Sequence, residues 1–84
     1  MAELIQTYTE VVRDARGVEF VASAHGEERG DGNWEGWIEF RPAAGSGDAR
    51  RTRRETTQPD RDALRYWASG LEPVYLQGAF ARAS

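Results

Sequence analysis

Trp34-Glu35-Gly36-Trp37-Ile38-Glu39-Phe40-Arg41 is the stretch whose reading decides the fold. Large apolar and charged residues alternate along it, the pattern of a strand with one buried face. Trp34, Gly36, Ile38 and Phe40 share one side, and Glu35, Trp37, Glu39 and Arg41 the other. The tryptophan on the charged side is the anomaly. A bulge at Gly36 would turn Trp37 inward, the C-terminal segment could cover it, or it serves a binding surface.

Upstream, residues 5–12 are rich in β-branched and aromatic side chains and read as a first strand. The turn Asp14-Ala15-Arg16-Gly17 then leads into a second strand at 18–24, making a hairpin with Gly17 free to adopt positive φ. A glycine-rich acidic connection, residues 26–33, joins it to the Trp34 strand. Glu27, Glu28 and Asp31 offer oxygens there, but without the ligand order of a calcium loop, so a hairpin connection is the reading.

Downstream, Pro42 to Asp48 is a loop. Residues 49–57 read as a polar fourth strand, fit for a sheet edge. Pro59 opens a helix to Ser69, with Gln58, or Thr57 paired with Asp60, at its cap. Leu64, Trp67, Ala68 and Leu71 form its apolar stripe, and Gly70 ends it in a left-handed cap. The tail, residues 73–82, reads as a last strand from the alternation of Val74, Leu76 and Phe80. Pro73 before an alanine-rich end is the weaker sign of a second helix.

These elements predict an α+β fold in one small domain spanning residues 1–84: a four- to five-stranded antiparallel sheet with one helix on its apolar face. The expected core is Phe20, Ala22, Trp34, Ile38, Phe40, Leu64, Trp67, Leu71, Val74 and Leu76. A chain of this length buries only roughly 60–65% of its unfolded surface, so modest stability is expected.

Composition narrows the chemistry. The 84 residues contain no cysteine, which removes disulfides, thiolate metal sites and cysteine nucleophiles together. Eleven basic residues against 14 acidic give a net charge of −3, a poor balance for general nucleic-acid binding. All the basic residues are arginine, which with the abundant alanine and glycine reads as codon bias. The N-terminal residues show no targeting pattern and no apolar run approaches the roughly 18 residues of a membrane span. A cytoplasmic protein with no membrane association is expected.

No catalytic constellation is legible. The one histidine, His25, has Ser23 two residues away on its face, which is too little for a nucleophile and its base. No glycine loop precedes a helix to cradle phosphate. The sharpest charge feature is Arg50-Arg51-Thr52-Arg53-Arg54. Its arginines are expected to lie across the sheet from Glu35 and Glu39 as a cross-strand ladder. The alternative is a strip that binds single-stranded nucleic acid or an anionic ligand beside Trp37.

The expected function is therefore non-enzymatic, with no cofactor and no metal. It is an interaction module working through the polar sheet face, with Trp37, Glu35, Glu39, Arg51 and Arg53 as its candidate residues. An unidentified protein is the expected partner, and homodimerisation through an edge strand or through Trp37 is compatible with it.

The segments Trp34–Phe40, Arg54-Glu55-Thr56-Thr57-Gln58-Pro59, Tyr66-Trp67-Ala68 with Gly70-Leu71, and Pro73-Val74-Tyr75-Leu76 resemble short bacterial proteins of unknown function. The similarity runs from about Trp34 to Ala83. It implies a small bacterial cytosolic protein and carries over no activity, ligand or site residue.

Overall fold

Seven elements follow one another in the computed structural model, which describes residues 1–45 and 47–84. They are β1 (Glu3–Arg13), β2 (Glu19–Glu28), β3 (Trp34–Pro42), β4 (Arg50–Arg51), β5 (Thr56–Gln58), α1 (Arg61–Ser69) and α2 (Pro73–Arg82). The α+β class and the antiparallel sheet are as the sequence predicts, but two helices cover it rather than one. Among the described residues no helix is long and apolar enough to cross a membrane.

The sheet runs in the order β1-β2-β3, and β4 and β5 both pair with the outer edge of β3. They are two fragments of the expected fourth strand: β4 lies opposite Glu39 and Phe40, β5 opposite Trp34 to Gly36. Thr52 bridges the gap. Its backbone N–H donates to the Ile38 carbonyl at 2.9 Å, and its hydroxyl accepts from the Ile38 N–H at 3.1 Å. The buried backbone of β3 thus stays satisfied where the partner strand is interrupted.

The interruption lets Glu55 turn toward α2. Its carboxylate accepts from the Tyr75 hydroxyl and from the Arg82 guanidinium, each at 2.5 Å. Burial alone would raise the Glu55 pKa, but the bonds from Arg82, Tyr75 and Thr52 outweigh it and hold the group below its usual value.

The β2–β3 register is unbroken, from Phe20 opposite Pro42 to Glu28 opposite Trp34. In that register Gly26 and Gly36 face each other, and Leu64 of α1, fully buried, sits over the pair. A Cβ on Gly36 would stand 2.6 Å from Leu64 Cδ1, and one on Gly26 would collide with Leu64 Cδ2. The two glycines therefore set how closely the helix approaches the sheet. Against β2, β1 is irregular: Thr7 to Val11 is four steps on β1 against the two from Ser23 to Val21. Beyond Thr7 the strand swells, and both Tyr8 and Val12 are buried. The Tyr8 hydroxyl donates to the Ala68 carbonyl of α1 at 2.7 Å, and burial pushes its pKa up to about 12.

α1 begins later than the sequence predicts. Asp60, with extended backbone, is the N-cap, and its side chain accepts from the Ala63 N–H at 2.8 Å. Neither Gln58 nor Thr57 caps it. Gly70 is right-handed, at φ −95°, so the expected left-handed cap is absent. The chain instead leaves the helix because Pro73 holds Glu72 extended, at ψ 163°.

The tail is helix α2, not the expected last strand. Pro73 occupies the first turn, where its missing N–H has no intrahelical partner. Leu76, Ala79, Phe80 and Ala83 recur at i, i+3, i+4 and i+7, and that stripe faces the sheet. Helical phase leaves Val74 78% exposed, which removes it from the core. Trp34, Trp67 and Leu71 are half-buried rather than fully enclosed. The core gains Tyr8, Val12, Ala24, Ala68, Ala79 and Phe80 instead. Phe80 packs on Phe20 and Phe40 at 4.9 and 5.1 Å between ring centroids.

Candidate functional site

Both helices cover the Phe20–Ala22–Ala24 and Ile38–Phe40 side of the sheet, so the opposite side faces outward. Alternation places Val21, Ser23 and His25 of β2 there, with Glu35, Trp37, Glu39 and Arg41 of β3. In register with them are Leu4 and Thr7 of β1 and Arg51 of β4.

Trp37 lies on this outward face as its parity predicts, with no bulge at Gly36. Even so it is only 6% exposed. The Arg51 guanidinium covers its ring, 4.4 Å from the centroid. The His25 ring lies nearly parallel to it at 6.4 Å, and the Trp37 indole Nε1–H donates to Glu39 at 3.1 Å. Neither a bulge nor the C-terminal segment buries it. Its cover is a side chain from the neighbouring strand.

The arginine run is split between two faces. Arg50 lies on the helix side, with its guanidinium 5.1 and 4.9 Å from the Phe20 and Phe80 ring centroids. Arg51 lies opposite Glu39 in register but puts its guanidinium on Trp37, and Arg54, outside the strands, reaches Glu35 at 4.0 Å, so the expected ladder is reduced to one ion pair. Arg53 is exposed and joins no ion pair among the described residues. Exposed pairs of this kind contribute about 0–1 kcal/mol each. The structure brings Trp37, Glu39 and Arg51 together, sets Glu35 further along β3 beside Arg54, and leaves Arg53 apart.

His25 sits at the centre of this group. Ser23 Oγ lies 2.9 Å from its Nε2, and Glu39 Oε1 lies 3.6 Å from the same nitrogen. A proton relay needs nucleophile and acid on opposite ring nitrogens, and here both fall on one. Burial lowers the His25 pKa; Glu39 pushes it up, Arg41 and Arg51 push it down, and the net shift is downward. The imidazole is therefore neutral at neutral pH.

Beside His25 a hollow of about 340 Å³ opens on the outward face, lined by Leu4, Thr7, Val21, Ser23, His25 and Arg41. Leu4 is 56% exposed. Two larger hollows, each about 460 Å³, lie near the β1–β2 turn. Their arginines are already engaged: Arg13 with Glu19, Arg16 with Asp14, and Arg50 with its two rings. Leu4, Thr7, Val21 and Arg41 are not among the candidate residues the sequence offers, although alternation places Arg41 on the polar face; only the register of β1, β2 and β3 brings them to one hollow.

Compared with protein-family models, curated proteins and solved structures, the chain matches none.

Proposed function

We propose that this protein is a non-enzymatic interaction module that binds a partner protein on the outward sheet face. The observation that carries this reading is the hollow itself, where exposed Leu4 and half-buried Val21 lie beside the charged Arg41 and neutral His25 on a face that no helix covers. Apolar surface mixed with a few fixed polar groups is the composition of a protein interface. Trp37 acts in this reading as a buried floor that fixes Arg51 and Glu39, not as a stacking platform. Nucleic-acid binding through the arginine run finds less support, since Arg50 and Arg51 point to opposite faces and Arg54 is paired.

A photo-crosslinking residue placed at Thr7, on the outward face, and in a separate variant at Tyr66, on α1, tests this in source cells. The reading expects a discrete adduct from Thr7 and none of the same mass from Tyr66. Adducts from Tyr66 alone would refute it.

A further inference from the structure

We infer that the hollow receives an acidic side chain flanked by an aliphatic one, presented by an extended segment of the partner protein. This inference rests on the reading of the outward face as an interaction surface, and adds the partner's chemistry to it.

Arg41, Arg53 and Arg65 are the three arginines that meet neither a carboxylate nor an aromatic ring among the described residues, and of these only Arg41 lines the hollow. Arg13, Arg16, Arg29, Arg54, Arg61 and Arg82 each reach a carboxylate within 4.0 Å. Arg50 and Arg51 lie on aromatic rings. Arg41 has neither kind of partner among the described residues, is exposed, and lines the hollow opposite Val21. The carboxylates on neighbouring positions of this face are already used: Glu39 accepts from Trp37 through one oxygen and faces His25 with the other, and Glu19 is paired with Arg13. Arg41 is thus an exposed guanidinium in the hollow with no carboxylate of its own. A guanidinium in that state is complementary to a carboxylate.

The remaining walls select the neighbour. Leu4 and Val21 present aliphatic surface within the same hollow. The hollow, about 340 Å³, has no roof, because both helices lie on the other side of the sheet. It cannot enclose the 70–90% of a small ligand's surface that a small-molecule site buries. Two side chains at positions i and i+2 of an extended segment, which share one face, fit it better. β1 is the edge strand of the sheet, so such a segment reaches Leu4 and Thr7 without crossing a helix.

The test is selection of random peptides displayed on phage against the full chain. Selected peptides are then mapped by ¹⁵N–¹H chemical-shift changes and their affinity measured for wild type and for Arg41→Glu. The expected peptides carry Asp or Glu two positions from Leu, Ile or Val and shift the amides of Thr7, Ser23 and Arg41. They bind Arg41→Glu roughly five- to tenfold more weakly, and exchanging their acid for Lys restores binding to that variant. Peptides that map to the outward face without an acidic residue, or that bind Arg41→Glu equally well, overturn this inference and leave the interaction reading standing. Peptides that map to α1 and α2 overturn both. Failure of any peptide to enrich overturns the inference.

Discussion

Replacing Gly36 by alanine tests the packing that positions the whole sheet. In a strand, alanine is ordinarily the better residue by about 0.5–1 kcal/mol, because glycine loses more conformational freedom on folding. Here the new Cβ would stand 2.6 Å from Leu64 Cδ1, 3.0 Å from Thr56 Cγ2 and 3.3 Å from Trp67 Cζ3. Ordinary contact begins near 3.4 Å. Leu64 is fully buried, so its methyl group cannot swing into solvent and α1 must lift. Overpacking of this kind costs about 1–3 kcal/mol, which exceeds the alanine advantage. For a domain of this size the melting temperature should fall by roughly 5–15 °C. Urea unfolding should show a lower midpoint with an unchanged slope. Leu64→Val, which lacks the δ carbons, should relieve the clash, so that the pair of changes costs less than the sum of the two alone. A Gly36→Ala protein as stable as wild type, or more so, would refute the account of the glycine pair.

Four further outcomes follow from the same geometry. Thr52→Val should cost about 1–3 kcal/mol in urea unfolding, because the Ile38 N–H loses its acceptor in a buried gap; a neutral substitution would contradict the bridging role. Arg51→Ala should uncover Trp37, so in fluorotryptophan NMR one of three indole signals should shift and become accessible to a soluble paramagnetic agent. Unchanged accessibility would show that the guanidinium is not the cover. The single His25 should titrate below the ordinary histidine value of about 6.5, because burial with Arg41 and Arg51 outweighs Glu39. Below that value the unfolded chain binds the proton more readily than the folded one. Stability from this site is therefore complete above about pH 6.5 and declines as pH falls toward the lower folded value, a slope that His25→Gln should flatten. An NMR midpoint at or above 6.5 would reverse the sign.

The sequence made the three long strands legible because each alternates over enough residues to outweigh its local exceptions. Parity also placed Trp37 correctly on the polar face. What parity does not carry is cover: Trp37 is buried by Arg51, a residue on another strand, and only the β3–β4 register brings the two together. The tail failed for a related reason. Val74, Leu76 and Phe80 fit a period of two, whereas Leu76, Ala79, Phe80 and Ala83 fit a period of 3.6 equally well, and packing against Phe20 and Phe40 decides between them. The split of the fourth strand rests on one buried hydroxyl, Thr52, set within an arginine run whose charges dominate the reading. Of the candidate site residues, Trp37, Glu39 and Arg51 are brought together. Arg41 and the aliphatic wall of Leu4 and Val21 emerge only once β1, β2 and β3 are laid side by side.

The central claim is that the outward sheet face is the working surface of this protein. The most direct measurement is the paired crosslinking comparison, Thr7 against Tyr66, in the same cells and at matched expression. The account predicts a discrete adduct from Thr7, weakened by Arg41→Glu, and no matching adduct from Tyr66. A Thr7 adduct that persists unchanged in Arg41→Glu would contradict the assigned chemistry, and an adduct from Tyr66 alone would contradict the assigned face.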